Sequence, residues 1–144
     1  MKDRLLGMLR ALGLDAEDYA VFGSAPLFMH GLKESLRDLD VIARGRAWEQ
    51  ALDLAARGEL SLATPPSGRG TMLRHPSGLI EIFNEWITKK VNLDDLIDSA
   101  EVIDGIPFVL VGDVLAWKAL SGRKKDRLDV EAADRVIGRT SRPS

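Results

Sequence analysis

The sequence predicts a single compact α+β domain, and three observations predict it. With 144 residues and 45% hydrophobic content, the chain fits one domain with a real core. Short apolar runs that read as strands alternate with segments whose apolar residues fall at helical spacing. Two further pairs of apolar runs flank tight-turn signals, Pro76-Ser77-Gly78 and Asp104-Gly105, which mark antiparallel hairpins.

Each element has its own signal. Leu5, Met8, Leu9 and Leu12 predict a helix from Lys2 to Leu12 that stops at Gly13. Tyr19 to Phe22 is a short buried strand, and Pro26 opens a short helix toward His30. Asp38 to Ala43 is the second strand. Trp48, Leu52, Leu54 and Ala55 support a helix from Ala47 to Arg57, closed by Gly58. Leu60 to Thr64 reads as a strand and residues 65–70 as a loop. Thr71 to His75 and Leu79 to Phe83 form the first hairpin. Asn92 is a good N-cap for a helix through Asp98. Val102 to Leu110 carries the second hairpin, and Asp113 to Leu120 is a helix broken by Gly122. The last helix runs from Lys125 or Asp126 to Ile137, and residues 140–144 are expected to be a disordered tail beyond a domain of residues 1–139.

Composition excludes several classes of function. There is no cysteine, so neither disulfides nor thiolate metal sites arise. No apolar run approaches the roughly 20 residues that span a bilayer. Met1-Lys2-Asp3-Arg4 leads into an amphipathic segment rather than an apolar signal core, so a cytoplasmic protein with no membrane association is expected. A net charge of −2 gives no global attraction to nucleic acid. Charge is uneven, however: from Lys118 onward eight Lys and Arg face four Asp and Glu, which suits a polyanionic ligand or simply a solvated helix face.

The chemistry concentrates in two short motifs. Ala20-Val21-Phe22 ends in Gly23-Ser24, a strand-to-helix turn whose amides and hydroxyl suit a phosphate. Arg37-Asp38-Leu39-Asp40 follows, and on a strand Asp38 and Asp40 project to one face. Two adjacent carboxylates repel unless a cation lies between them, and a divalent metal serves. Metal and phosphate together point to nucleotide chemistry.

This order of elements resembles the nucleotidyltransferase superfamily that includes DNA polymerase β. The stretch from Leu115 to Val130, with Lys118, Arg123, Lys125, Asp126 and Asp129, is similar to the ending of small bacterial nucleotidyltransferases, among them the AbiEii-like enzymes of type IV toxin–antitoxin systems. The resemblance covers Tyr19 to Ile137. It implies a nucleotidyltransferase-like mixed β-sheet flanked by helices. It further implies that Gly23 and Ser24 hold nucleotide phosphates and that Asp38 and Asp40 bind a divalent metal, Mg²⁺ or Mn²⁺. The third carboxylate, metal ligand or base, falls on Glu81, the only acid of the strand Leu79 to Phe83, where the superfamily usually has aspartate. Lys118, Arg123, Lys124 and Arg37 are the candidate cations for the triphosphate. The implied reaction moves a nucleoside monophosphate from an NTP, ATP foremost, to a hydroxyl of a tRNA, protein or small-molecule acceptor. A non-catalytic nucleotide-binding protein of the same fold, or one component of a toxin–antitoxin pair acting with a partner protein or as a homodimer, remains the alternative.

Plainer roles stand beside these. Asp38 and Asp40 also suit ion pairs with Arg37 and Arg44, and Glu81 suits a pair with Arg74 across the hairpin. Lys118 is able to snorkel from an apolar helix. Asp126 and Asp129 favour the N-terminus of the last helix. His30 and His75 lack a paired ligand, Trp48, Trp86 and Trp117 read as core or rim packing, and Asp94, Asp95 and Asp98 read as a solvated face.

Overall fold

Alternating burial organises this chain around one sheet with helices on both faces. The computed structural model describes residues 1–65, 68, 70–85, 92–121 and 124–141, without the side chains of 121 and 136–141. Helix α1 (Lys2–Ala11) turns Leu5, Leu6 and Leu9 inward. Strand β1 (Tyr19–Phe22) is buried throughout, and Pro26 opens the five-residue helix α2 (Ala25–Met29). Strand β2 (Leu39–Ala43) follows, then helix α3 (Gly45–Ala56) and strand β3 (Ser61–Ala63). β4 (Met72–Arg74) and β5 (Ile80–Phe83) form the first hairpin. In α4 (Leu93–Asp98), the Asn92 side chain accepts from the amides of Asp94 and Asp95 at 2.9 and 3.3 Å. β6 (Glu101–Ile103) and β7 (Ile106–Phe108) turn at Asp104 and Gly105, whose φ values of 52° and 78° suit a two-residue hairpin turn. Helices α5 (Val111–Ser121) and α6 (Lys124–Ser141) pack together and complete the chain.

The seven strands lie in the order β3-β4-β5-β2-β1-β7-β6. β1 pairs parallel with β7 and antiparallel with β2, and β2 pairs parallel with β5, so the sheet is mixed. On one face Val21, Leu39, Val41, Ile82 and Phe108 pack against Leu5, Leu9, Ala47 and Ala51 of α1 and α3. On the other, Ala20, Phe22, Ile42, Met72 and Phe83 meet Leu27, Leu96, Val114 and Trp117 of α2, α4 and α5. The Phe22 and Trp117 rings meet edge to face, with centroids 5.4 Å apart. The chain is thus a single α+β domain with a mixed sheet flanked by helices. Among the described residues no helix is long and apolar enough to cross a membrane.

Several boundaries differ from expectation. β2 starts at Leu39, and Asp38 belongs to the extended segment before it. The final helix continues past Ile137 to Ser141, so Thr140 and Ser141 are helical rather than part of a tail. The expected break at Gly122, the packing of Trp86 and the tail residues 142–144 lie outside the described residues.

Candidate functional site

Asp40 interrupts the second apolar face. It shares that face with Ile42, and its register partners are Phe22 on β1 and Glu81 on β5. The chain turns immediately after Phe22 at Gly23, with φ of 72°. A Cβ at Gly23 would lie 2.8 Å from Oδ2 of Asp40, so only glycine admits this approach of backbone to carboxylate. Strand register thus sets Glu81 beside Asp40, and the turn at Gly23 comes against the Asp40 carboxylate.

Charge crowds around Asp40. Its carboxyl is pushed up to about 7, first by burial and then by the negative charges of Asp38 and Glu81, with Lys125 and Lys118 opposing. Among the described residues neither Asp38 nor Asp40 is in an ion pair. The alternative pairing with Arg44 is overturned. Arg44 instead ties the start of α3 to α4 through Asp18, Asp94 and Asp98, while Asp94, Asp95 and Asp98 all stay on the expected solvated face. These contacts hold its guanidinium firmly in the charged form.

Beside Asp38 opens a cavity of about 230 Å³. Lys33, Arg37 and Lys125 line it with positive charge, and Ser24 and Ser35 add hydroxyls. Ser24 precedes α2 without capping it by side chain, and its Oγ accepts from Lys33 Nζ at 3.0 Å. A five-residue helix carries little macrodipole, so side chains dominate the pocket's field.

The other candidates lie elsewhere. Glu81 Oε2 accepts from Arg74 Nη2 at 3.0 Å and Nε at 3.3 Å across the β4–β5 register, as the plainer reading had it. Lys118 is 2% exposed and neither lines the cavity nor snorkels. It donates to Asp126 at 3.0 Å and Asp129 at 3.1 Å between α5 and α6. Asp126, fully buried, and Asp129 thus hold a lysine rather than decorate a helix end. Lys124 is exposed and lies outside the cavity lining; its neighbour Lys125 takes that place. Arg123 lies outside the described residues. His30 pairs with Glu101, while Trp48 and Trp117 pack in the core.

Lys33 and Ser35 carried no motif and were missed. Their only sequence signal is a polar segment between Ser24 and Asp38, whereas Lys125 lay in the basic run of the last helix.

The donor chemistry suits a divalent hard cation. Asp38 and Asp40 offer carboxylate oxygens, and the Asp40 carboxyl is raised first by burial and then by its acidic neighbours, a repulsion that a cation would offset. Among the described residues, no group of three or more His, Cys, Asp or Glu converges. Two carboxylates with phosphate oxygens completing the shell match the habit of Mg²⁺. No protein-family model matches the chain, and no curated protein is significantly similar to it.

Proposed function

We propose that this chain is a metal-dependent nucleotidyltransferase that moves a nucleoside monophosphate from an NTP, ATP foremost, to a hydroxyl acceptor. One observation carries the reading. A cationic pocket lined by Lys33, Arg37 and Lys125 also includes Asp38, two residues before Asp40, and Asp40 lies in strand register with Glu81. Phosphate and metal chemistry thus meet at one point. Phosphoryl transfer asks a protein for positioning and charge compensation rather than covalent chemistry.

In this reading Lys33, Arg37 and Lys125 grip the triphosphate, and Ser24 offers its hydroxyl at the turn. Asp38 and Asp40 hold Mg²⁺, which when bound offsets charge on the phosphates. The acceptor oxygen bonds to the α-phosphorus as the bond to the β-phosphate bridge breaks, and pyrophosphate leaves. The acceptor proton passes to Glu81, whose Oε2 is held by Arg74. The acceptor is an RNA end, a protein side chain or a small molecule.

The Arg74–Glu81 pair also favours a second reading, a non-catalytic nucleotide-binding protein in which the third carboxylate serves structure alone. One experiment separates them. Wild type and Asp38→Ala/Asp40→Ala are incubated with α-labelled NTPs, Mg²⁺ or Mn²⁺, and a tRNA pool or lysate. Transfer of label by wild type at least about a hundredfold above the double mutant is expected. Equal labelling by the two proteins overturns the enzymatic reading, and metal-dependent NTP binding retained by both removes the aspartates' role.

A further inference from the structure

Asp129 and Lys33 are far apart in sequence, yet they meet at the edge of the pocket. Lys33 Nζ lies 3.2 Å from both carboxylate oxygens of Asp129 and 3.0 Å from Ser24 Oγ. Asp129 is itself held from behind by Lys118 at 3.1 Å, and Lys118 is fixed by the fully buried Asp126. A chain of contacts thus runs from the α5–α6 core to the mouth of the cavity.

An ammonium has three donors and no acceptor. Ser24 accepts one N–H at 3.0 Å, and the two Asp129 oxygens, both at 3.2 Å, accept from the rest; where those two share one bifurcated N–H, the third faces a ligand in the cavity that Lys33 lines. Lysine on a flexible stem in a loop loses considerable rotamer freedom when it grips an anion. Asp129 imposes that loss in advance. We propose that Asp129 is a positioning residue that holds the Lys33 ammonium against Ser24, and that Lys33 then binds the phosphates of the nucleotide. The inference rests on the reading of the cavity as a phosphate site, and it adds α6 to the parts that build it.

The sign of one mutation separates positioning from simple electrostatics. Removing a negative charge near an anion site strengthens anion binding if charge alone matters. If Asp129 positions Lys33, Asp129→Asn weakens it.

The test titrates wild type, Lys33→Ala, Lys33→Arg, Asp129→Asn and the double variant Lys33→Ala/Asp129→Asn with tripolyphosphate in excess Mg²⁺ by calorimetry, with Arg4→Ala, an exposed cation of α1 outside the cavity lining, as control. Lys33→Ala is expected to weaken binding about tenfold or more, as loss of a charge-assisted hydrogen bond does, with partial rescue by arginine. Asp129→Asn is expected to weaken binding severalfold, with no further loss in the Lys33→Ala background. Arg4→Ala is expected to leave affinity unchanged.

Tighter binding by Asp129→Asn, or an equal Asp129 effect with and without Lys33, overturns the proposal. So does a wild type that binds no tripolyphosphate. Should Asp129→Asn fail to fold, the decision falls to Lys33→Ala, which leaves the Lys118 pairs intact; unchanged affinity there also overturns it. Tripolyphosphate binding without transfer of label to any acceptor leaves this proposal standing while the enzymatic reading falls.

Discussion

Asp40 faces the carboxylates of Asp38 and Glu81 from the central strand, and burial with their charge pushes its carboxyl from 3.8 up to about 7. The sign of the consequence follows directly. A carboxyl whose folded pKa lies above its unfolded value favours the protonated form in the fold. Its contribution is complete below about pH 4 and is lost as pH rises through 7. Asparagine mimics the protonated acid and has no such slope. In chelator, Asp40→Asn is therefore expected to match wild type near pH 4 and to exceed it at pH 8 by a few kcal/mol, on the order of the shift converted to free energy. Urea unfolding across that range measures it, and parallel pH curves for the two proteins would refute the account. Mg²⁺ should raise the stability of wild type at pH 8 and leave the variant nearly unmoved. At this scale the sequence was legible where placement is local: the turn at Gly23 and Ser24 and the strand position of Asp40 follow from turn and strand chemistry, whereas Asp38, expected on the strand, precedes it. The place of Lys33 was not legible, because its partner Asp129 is brought near only by the packing of α6.

The α5–α6 pair shows what an element contributes. α5 presents Val114 and Trp117 to the sheet, and Lys118 lies among them because α6 supplies Asp126 and Asp129. Reading α5 alone left Lys118 as a charge without a purpose inside the fold, and so as a candidate for the ligand. Its partners lie eight and eleven residues on, in the next helix, so no spacing rule announces the contact. Glu81 illustrates the opposite case, since the hairpin fixes Arg74 opposite it and the turn was legible. Removing one partner of a buried pair leaves an uncompensated charge, which costs roughly 3–5 kcal/mol. Lys118→Met is expected to lose about that much, and Lys118→Met/Asp126→Leu to recover most of it. Denaturant midpoints decide the matter; a single variant as stable as wild type contradicts a paired, buried lysine.

Across the whole molecule the site is divided between the central strands of the sheet and the irregular segment before β2. Gly23, Asp40 and Glu81 sit on or beside β1, β2 and β5, the strands paired on both sides. Lys33, Ser35, Arg37 and Asp38 come from the irregular segment between α2 and β2. β3 and β6 form the two edges with three residues each, and Leu62 and Val102 on them are 70% and 68% exposed. Protection against hydrogen exchange follows local burial and pairing, from near zero at frayed edges to the global stability in central strands. Amides of Val21, Val41 and Ile42 are therefore expected to exchange only through global unfolding, and those of Leu62 and Val102 at least about a hundredfold faster. Native-state exchange read residue by residue measures this. Val41 exchanging as fast as Leu62 would mean that the carboxylates lack a rigid base, and the raised pKa of Asp40 would then have no fixed environment to sustain it. If the ordering holds, the sheet preorganises Asp40 and Glu81, while Lys33, Arg37 and Asp38 come from the segment before β2 and Lys125 from α6, with Asp129 tying Lys33 to that helix.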